Sequence, residues 1–373
     1  MTSKPPFDGV QSVPVKDVFD LQMGKTPSRN VTEYWNNGDH DWVSIKDLGS
    51  YGKYVGRTKE TISNLGVAES RIKVVPENTL IMSFKLSLGK TAITVAPTYT
   101  NEAIMAFLNK KAFPIDLNYM YHQFSAKDWT AGTNIAVMGK TLNKKTLGAA
   151  HICVPNIETQ REIASRLDYV CEQIRLVKQQ LALLDELVKS RFVEMFGDPA
   201  SNPKRFPAKP GSELFRLGNG KTKPVSQRFN NGVPAYGGNG ITWYTDEAMT
   251  SGPTIVLGRV GRHCGNARLV IEPCWVTDNA MYIKNFYDSS LDFIYLINLM
   301  SIVKFNRYAD EGDLWKITQR PFMEFEFPLP PLALQHKFSA FVQRVDKLRV
   351  EAQAQKEKLQ TLYDSLAQDY FAI

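Results

Sequence analysis

A heptad pattern of about 40 residues, between Ile157 and Phe196, constrains the fold of this chain more than any other feature. Its apolar residues follow one another in alternating steps of four and three, which places them along one face of a helix. They are Ile163, Leu167, Val170, Ile174, Val177, Leu181, Leu184 and Val188. At about 1.5 Å per residue this helix would be roughly 60 Å long, with Gly197 and Pro199 as its stop signal. It needs a partner helix, because an isolated helix cannot bury its apolar stripe.

The partner helix is encoded in the same chain. Residues 330–371 repeat residues 155–196 at a constant offset of 175 positions, from the entering proline to the closing phenylalanine. The matched pairs include Gln160/Gln335, Ile163/Phe338, Leu167/Val342, Val170/Val345, Leu184/Leu359, Leu187/Leu362 and Ser190/Ser365. The second stripe is less regular, since Arg349 and Lys356 stand where the first has Ile174 and Leu181. Any two amphipathic helices look alike, but the coincidence of both ends favours an internal duplication.

The two long segments outside these helices repeat more faintly. Residues 18–26 (VFDLQMGKT) resemble residues 214–222 (LFRLGNGKT), and short β-rich runs such as residues 274–283 are punctuated by Gly and Asn. The sequence therefore predicts an α+β fold, in which two β-rich domains are joined by two long coiled-coil helices in a pseudo-twofold internal repeat. The predicted bounds are 1–155 and 199–330 for the domains, and 156–198 and 331–373 for the helices.

The net charge of +7 indicates an anionic partner. Residues 1–155 carry 18 basic and 13 acidic side chains and residues 197–331 carry 15 and 13, whereas the charges of the helical segments nearly cancel. A DNA partner would therefore meet the non-helical segments. With no long apolar run and no signal-peptide core at its start, the chain is expected to be cytoplasmic, without membrane association. The four cysteines lack a C-x-x-C pair and are expected to be buried small hydrophobic residues.

Several motifs together resemble one protein family. They are residues 189–198 (KSRFVEMFGD), residues 328–332 (PLPPL) with Gln335, residues 42–48 (WVSIKDL) and residues 236–241 (YGGNGI). Over essentially its whole length the chain resembles the DNA-specificity subunit of type I restriction-modification systems. A minor departure is the single Pro155, where the second copy has Pro330-Pro331.

The resemblance implies a non-catalytic subunit that reads a bipartite target in double-stranded DNA. Two target-recognition domains would each read one half of the target, and the antiparallel helices would hold them apart as a ruler. Two methyltransferase subunits would dock around the helices, and restriction endonuclease subunits would join through the complex. The internal repeat provides two equivalent docking surfaces, which favours a stoichiometry of two methyltransferases to one chain.

In this interpretation, loop residues of both domains contact base edges and phosphates. The candidates in the first domain are Lys25, Arg29, Asn30, Lys53, Arg57, Lys85 and Lys90. Those in the second are Lys221, Lys223, Asn239, Arg259, Arg262, His263 and Arg268, and the turn from Arg259 to His263 is the strongest candidate because two guanidinium groups flank a glycine. For each residue the alternative is an ordinary solvated charge.

Methyltransferase docking is expected on the outward faces of the helices, together with the aromatic helix ends. The residues concerned are Phe192, Met195, Phe196, Tyr370 and Phe371. The alternative is that these side chains pack against the β-rich domains.

The motifs that DNA enzymes need are missing from the sequence. It contains no P-loop, no Glu-x-Lys of a metal-dependent nuclease core, and no Asn or Asp before a Pro-Pro-Phe of the methyltransferase type. Its five histidines are dispersed, so neither a metal site nor a cofactor is predicted. Two alternatives stay open: a self-sufficient DNA modification or cleavage enzyme with unrecognised motifs, and a coiled-coil adaptor that binds only proteins.

If the first long helix acts as a ruler, its length fixes the number of unread base pairs between the half-sites. A seven-residue insertion after Gln179 keeps the heptad in phase and adds about 10 Å, so the spacer should lengthen by up to three base pairs while the half-site sequences stay unchanged. The measurement is a map of methylated adenines in cells that carry the variant with its partner subunits. A two-residue insertion should instead turn the stripe by about 200° and destabilise the helix pair. An unchanged spacer in a stable, active seven-residue variant would contradict the ruler.

Overall fold

The computed structural model of the chain describes residues 11–85, 87–129, 142–288, 290–310, 312 and 315–371. Contacts between residues divide the chain into two compact units. Unit 1 consists of the described residues up to Leu176 together with those from Gln355 onward, and unit 2 runs from Val177 to Ala354. Each unit thus contains one β-rich globule and segments of both long helices. We call residues 11–154 the first globule and residues 208–328 the second globule.

The first globule is built on a five-stranded sheet of order β2-β9-β6-β7-β4, with a three-stranded sheet of order β5-β3-β8 and the antiparallel pair β1-β10. The strands are β1 (Gln11–Pro14), β2 (Phe19–Met23), β3 (Trp35–Val43), β4 (Tyr54–Val55), β5 (Glu60–Ile62), β6 (Leu80–Ser83), β7 (Thr91–Thr94), β8 (Tyr99–Thr100), β9 (Ile104–Asn109) and β10 (His151–Val154). The helices are α1 (Val15–Val18), α2 (Ile45–Leu48), α3 (Asn64–Ser70), α4 (Leu117–Ala126) and α5 (Lys144–Ala149).

Both faces of the five-stranded sheet are buried, which explains why its central strands are apolar without interruption. Successive side chains of a strand point to opposite faces. Leu80 and Phe107 therefore enter one cluster, which also contains residues of α4 and of the long helices. Ile81 and Ala106 enter a second cluster on the opposite face. Because the central strands are covered on both sides, most exposed polar groups of the globule lie on its loops.

The second globule has the same plan in fewer strands. Its sheets have the orders β12-β18-β15-β16 and β14-β13-β17, and β11 pairs with β19. The strands are β11 (Ala208–Pro210), β12 (Phe215–Asn219), β13 (Val233–Gly237), β14 (Gly240–Thr245), β15 (Thr254–Gly258), β16 (Ala267–Val270), β17 (Trp275–Val276), β18 (Ala280–Phe286) and β19 (Glu326–Pro328). The shorter helices are α7 (Gly211–Leu214), α8 (Phe293–Val303) and α9 (Arg320–Glu324), and the two long helices of the chain are α6 (Ile157–Phe196) and α10 (Leu332–Phe371).

The structure confirms the predicted fold class and the internal repeat. In each globule a four-residue helix leads into the first strand of the larger sheet, as α1 leads into β2 and α7 into β12. A parallel strand pair also recurs, β3 with β8 in the first globule and β13 with β17 in the second. A longer helix also follows an inner strand in each globule: α4 follows β9, and α8 follows β18.

Both long helices contain 40 residues and keep the predicted offset. All the predicted stripe residues of α6 are buried except Leu181, which is half-buried. In unit 2 the helices are antiparallel, because Asp185 pairs with Arg349 at 2.7 Å while the later Phe192 meets the earlier Phe338 at a ring distance of 5.4 Å. The polar Arg349 is thus accommodated by a carboxylate on the facing helix. In the described parts of the chain, no helix has the apolar length that crossing a membrane requires.

A buried glutamine ties the start of each long helix to its globule. In unit 2 the fully buried Gln335 accepts a hydrogen bond from the Asp292 backbone N–H at 2.9 Å, and its amide donates to the carbonyls of Ser290 and Pro330, both at 2.9 Å. Asp292 is the N-cap of α8. The side chain therefore joins α10 to the start of α8.

Unit 1 repeats this arrangement with Gln160. Its side chain accepts from the backbone N–H of Asp116 at 2.9 Å and donates to the carbonyls of Pro114 at 2.9 Å and Pro155 at 2.8 Å. Asp116 is the N-cap of α4, so the same bonds join α6 to the start of α4. The duplication therefore extends to individual hydrogen bonds.

The end of the other long helix packs on the same short helix. In unit 2 Phe196, which closes α6, lies 4.8 Å from the ring of Tyr295 on α8. In unit 1 Phe371, which closes α10, lies 5.4 Å from the ring of Tyr119 on α4. Each unit thus binds the beginning of one long helix and the end of the other.

We predict that Gln335→Met lowers the free energy of unfolding of unit 2 by about 2–4 kcal/mol. The thioether has similar length but leaves the Asp292 N–H and two carbonyls without partners, and each buried unsatisfied group costs about 1–3 kcal/mol. Urea unfolding followed by circular dichroism measures the loss. The control is Gln343→Met at an exposed position of the same helix, where a change within about 0.5 kcal/mol is expected. Equal midpoints for the two variants would show that the glutamine does not hold the helix.

Candidate nucleic-acid interface

The loops that carry most of the predicted DNA-binding residues of the second globule meet beside β16, the edge strand of its sheet. Two glycines allow this approach. A side chain on Gly238 would begin 3.1 Å from the Cα of Gly258, so the β13–β14 turn rests directly on β15. Gly265 has φ +80°, and a side chain there would begin 2.3 Å from the backbone nitrogen of Asn306. The turn before β16 and the segment after α8 are therefore in backbone contact.

These loops enclose a polar cleft of about 510 Å³. Its lining residues are Gly238, Asn239, Gly265, Asn266, Ala267, Arg268, Met300, Ser301, Lys304 and Asn306. The lining contains two cationic side chains, three asparagines and no carboxylate. Asn239 and Arg268, both predicted from sequence, are exposed there.

The predicted turn from Arg259 to His263 adjoins this region but does not line the cleft. Arg259 and Arg262 are exposed and His263 is partly exposed. The backbone of the turn is fixed, because the carbonyl of Arg259 accepts from Ile317 N–H at 2.9 Å and Gly261 N–H donates to the carbonyl of Trp315 at 2.8 Å. The two guanidinium groups are thus carried by a rigid turn.

The structure corrects the prediction that Lys223 is free to contact DNA. Its side chain is buried, with Nζ 3.0 Å from Glu247 and 3.5 Å from Asp246, and 4.5 Å from the ring centre of Trp275. Burial alone would lower the pKa of Lys223, but the two carboxylates outweigh it and the pKa is raised. Lys221 remains exposed, and its carbonyl accepts from the indole N–H of Trp275 at 2.9 Å. The ammonium of Lys223 therefore anchors this loop within the globule.

The first globule has a similar anchor. Arg29 lies 3.7 Å from the ring centre of Trp35 and forms an ion pair with Glu60 at 2.5 Å, although half of its side chain is exposed. The indole N–H of Trp42 donates to the carbonyl of Lys25 at 3.1 Å, and the Lys25 ammonium donates to the Ser70 carbonyl at 2.5 Å. These contacts hold the loop after β2 in place, with the neighbouring Asn30 exposed.

Lys53 also differs from its predicted role. Its ammonium is 2.6 Å from Asp168 of α6, and the same carboxylate contacts Nε2 of the fully buried His122 at 2.7 Å. Nδ1 of His122 lies 3.0 Å from the Tyr363 hydroxyl of α10. Burial raises the pKa of Asp168, but hydrogen bonds from His122 and Lys53 outweigh burial and the pKa is lowered. Lys53 thus joins the first globule to the helices, and it is not free to meet DNA.

The other candidates of the first globule are at its surface. Arg57 and Lys90 are exposed, and Lys85 is partly exposed with its ammonium 5.3 Å from the ring centre of Phe84. Lys85 and Lys90 belong to the turn between β6 and β7, which corresponds to the Arg259–His263 turn of the second globule. Whether these residues contact DNA remains a prediction.

Four of the five predicted helix-end residues are buried, which corrects that part of the docking prediction. Phe192, Met195 and Phe196 are buried in the core of unit 2, and Phe371 is buried in unit 1. Tyr370 is partly exposed. The reason is the packing on α8 and α4 described above, which occupies these side chains within each unit.

Sequence reasoning missed Asn266, Lys304 and Asn306 as cleft residues, and it missed the exposed Trp315 beside the Arg259 turn. Lys304 is the C-cap residue that follows α8, with φ +55°, and the sequence pattern does not delimit that helix. Repeat spacing gave no signal either, because the loops are the least similar parts of the two copies. In the described parts of the chain, no three His, Cys, Asp or Glu side chains converge as metal ligands would.

Comparison with known proteins gives one consistent family. The family described as "Type I restriction modification DNA specificity domain" matches residues 8–186 and 209–361. The specificity subunit of the type I restriction enzyme EcoprrI from Escherichia coli is 23% identical over 367 residues, which cover 92% of this chain and 89% of that protein.

Solved structures show the same fold. The crystal structure of the type I restriction-modification S subunit from M. genitalium has a TM-score of 0.56 at 16% identity over 99% of both chains. A chain from a structural study of complex assembly and conformational transition in the type I R-M system has a TM-score of 0.60 at 17% identity over 98% of both chains. With its repeated globules, its paired helices and a family match over most of its length, the chain belongs to the type I restriction-modification DNA specificity family.

Proposed function

We propose that this chain is the DNA-recognition subunit of a type I restriction-modification complex and reads a bipartite target, one half with each globule. The observation that carries the proposal is the duplication of a whole recognition scaffold. Both globules bury both faces of the larger sheet, and both carry cations on the turn between equivalent strands. That turn contains Lys85 and Lys90 in the first globule, and Arg259 and Arg262 in the second.

Exposed cations and amides on these loops supply the DNA contacts. Guanidinium groups hydrogen-bond base edges and phosphates, and asparagine side chains pair with adenine. In the second globule the strongest candidates are the exposed Arg259 and Arg262, and the further candidates are His263 and Lys221. In the first globule, Arg57 and Asn30 have the exposure that such contacts require.

The catalytic steps belong to partner subunits in this proposal. The E. coli relative is named a specificity subunit, and the present sequence has none of the methyltransferase, nuclease or P-loop motifs. Methyltransferase subunits would supply methylation, and endonuclease subunits would join through the complex. Purified chain incubated with DNA and labelled methyl donor should incorporate no label, and incorporation without a partner would favour a self-sufficient enzyme.

We predict that the two half-sites are exchanged independently. Replacement of residues 15–150 by the matching segment of another specificity subunit should change one half of the methylated target, because the loops of the other globule are untouched. Replacement of residues 211–325 should change the other half. Methylated adenines are mapped by sequencing DNA from cells with each variant. A change in both halves from either replacement would contradict separate reading.

Two exposed leucines support docking of two methyltransferase copies. Leu187 on α6 in unit 2 is 47% exposed, and Leu362 on α10 in unit 1 is 46% exposed. They are equivalent under the repeat, so the same apolar contact is offered twice. The recurrence of an exposed leucine at both repeat positions supports docking there, whereas the buried Phe192, Phe196 and Phe371 cannot offer such a contact.

We predict that Leu187→Ser or Leu362→Ser lowers the stoichiometry from two methyltransferases per chain to one, and that the double variant binds none. Each change removes one apolar contact at one of two equivalent sites. The complexes are weighed by native mass spectrometry near the dissociation constant. Leu183→Ser is the matched control, since Leu183 is 58% exposed but its repeat position holds Lys358. Retention of two copies in both single variants would argue against this docking site.

A further inference from the structure

The cleft beside β16 in the second globule combines positive charge with amide groups and contains no carboxylate. It is concave, polar and lined by Arg268 and Lys304, with the amides of Asn239, Asn266 and Asn306 around them. All five side chains are exposed. A concave surface cannot enter a DNA groove, but it can receive the ridge formed by a sugar-phosphate strand.

We propose that this cleft is a phosphate-binding site for the DNA backbone, which positions the second half-site without reading its sequence. The inference rests on the proposed function and assigns the cleft a role separate from base recognition. Arg268 and Lys304 neutralise phosphate charge, and the asparagine amides donate to phosphate oxygens. Such contacts fix the register of a protein on the duplex and carry no sequence information directly.

Charge pairing supports this assignment. Lys53, Lys223 and Arg29 each face a carboxylate at 3.0 Å or less, so their charge is already compensated within the protein. By contrast, neither Arg268 nor Lys304 forms an ion pair or a side-chain hydrogen bond with the residues that the structure describes. Two uncompensated cations in one cleft favour an anion there.

The construction of the cleft supports a positioned site. Gly265 and Gly238 bring three loops into backbone contact, as shown above, so the groups on these loops are held at short range. Arg268 extends from β16 next to the β13–β14 turn, where a side chain on Gly240 would begin 3.6 Å from its guanidinium. Lys304 stands at the end of α8, whose residues Leu299 and Met300 are buried in the core. Both cations are therefore carried by ordered elements.

The test uses the complete complex of this chain with its methyltransferase subunits. Arg268→Gln and Lys304→Met remove one positive charge each while keeping a side chain of similar length. Binding to a duplex that contains the mapped target is measured from 50 to 300 mM salt, and the methylated sequence is mapped in cells. Arg216→Gln, at an exposed position on β12 at the other edge of the sheet, is the matched control.

Each charge variant should bind roughly tenfold more weakly near 0.1 M salt, as expected for one lost charge-assisted hydrogen bond. The slope of log affinity against log salt should fall by about 0.9 per charge, and by about 1.8 in the double variant. The methylated target should stay unchanged. Asn306→Ala should weaken binding without changing the slope, because it removes no charge.

Two results would overturn the phosphate site. The first is a relaxed sequence in one half of the target, which would make these residues base readers. The second is an unchanged affinity and salt slope in the double variant. Failure of the proposed function appears separately, because the wild-type complex would then yield no methylated bipartite target.

Discussion

The attachment of each long helix to its globule depends on a completely buried glutamine side chain. Gln160 and Gln335 each satisfy one backbone N–H and one carbonyl at the start of a short helix, and one carbonyl at the start of the long helix. A buried polar group without such partners costs free energy, so the bonds define one position of the helix on the globule. The aromatic contacts of Phe196 and Phe371 then use the same short helices, and each unit is completed by the end of the other long helix.

The larger sheets are buried on both faces, so the polar groups available for binding lie mainly outside their central strands. In both globules the central strands are covered on two faces, so exposed cations and amides lie mainly on turns, helix ends and edge strands. Some of those cations are used internally, as when Arg29 lies on Trp35 and Lys223 on Trp275. Such anchors order the loop after the first strand of the larger sheet in each globule. The cations left unpaired, above all Arg268 and Lys304, are then the ones available to an external anion.

The two copies share a scaffold and differ in their electrostatics. Unit 1 joins globule and helices through Lys53, Asp168, His122 and Tyr363. The repeat places Gln343, Asn298 and Val188 of unit 2 where unit 1 has the last three of these residues. Val188 is buried in an apolar core. An apolar contact and a charged network can thus hold equivalent positions, which shows why repeat alignment predicts geometry better than charge.

The sequence by itself determined the two long helices, their pairing within the chain and the duplicated α+β plan, whereas contacts such as Asp185–Arg349 and Phe192–Phe338 establish the antiparallel direction in unit 2. The spacing of apolar residues along a helix can be recognised from the local sequence. The repeated ends Pro155/Pro330 and Phe196/Phe371 identify the same element in both copies. The buried role of the phenylalanines was open at that level, because an apolar side chain at a helix end is equally suited to a core or to a partner.

Only the tertiary structure decided which of the predicted cations are free. Lys53 and Asp168 are 115 positions apart, and Lys223 meets carboxylates that no local pattern connects to it. The cleft likewise needs three loops that come together through glycine contacts between distant strands. Charge compensation and cavity shape depend on which groups face each other in space. The spacing of apolar residues along the chain indicates only which side of a helix or strand is buried.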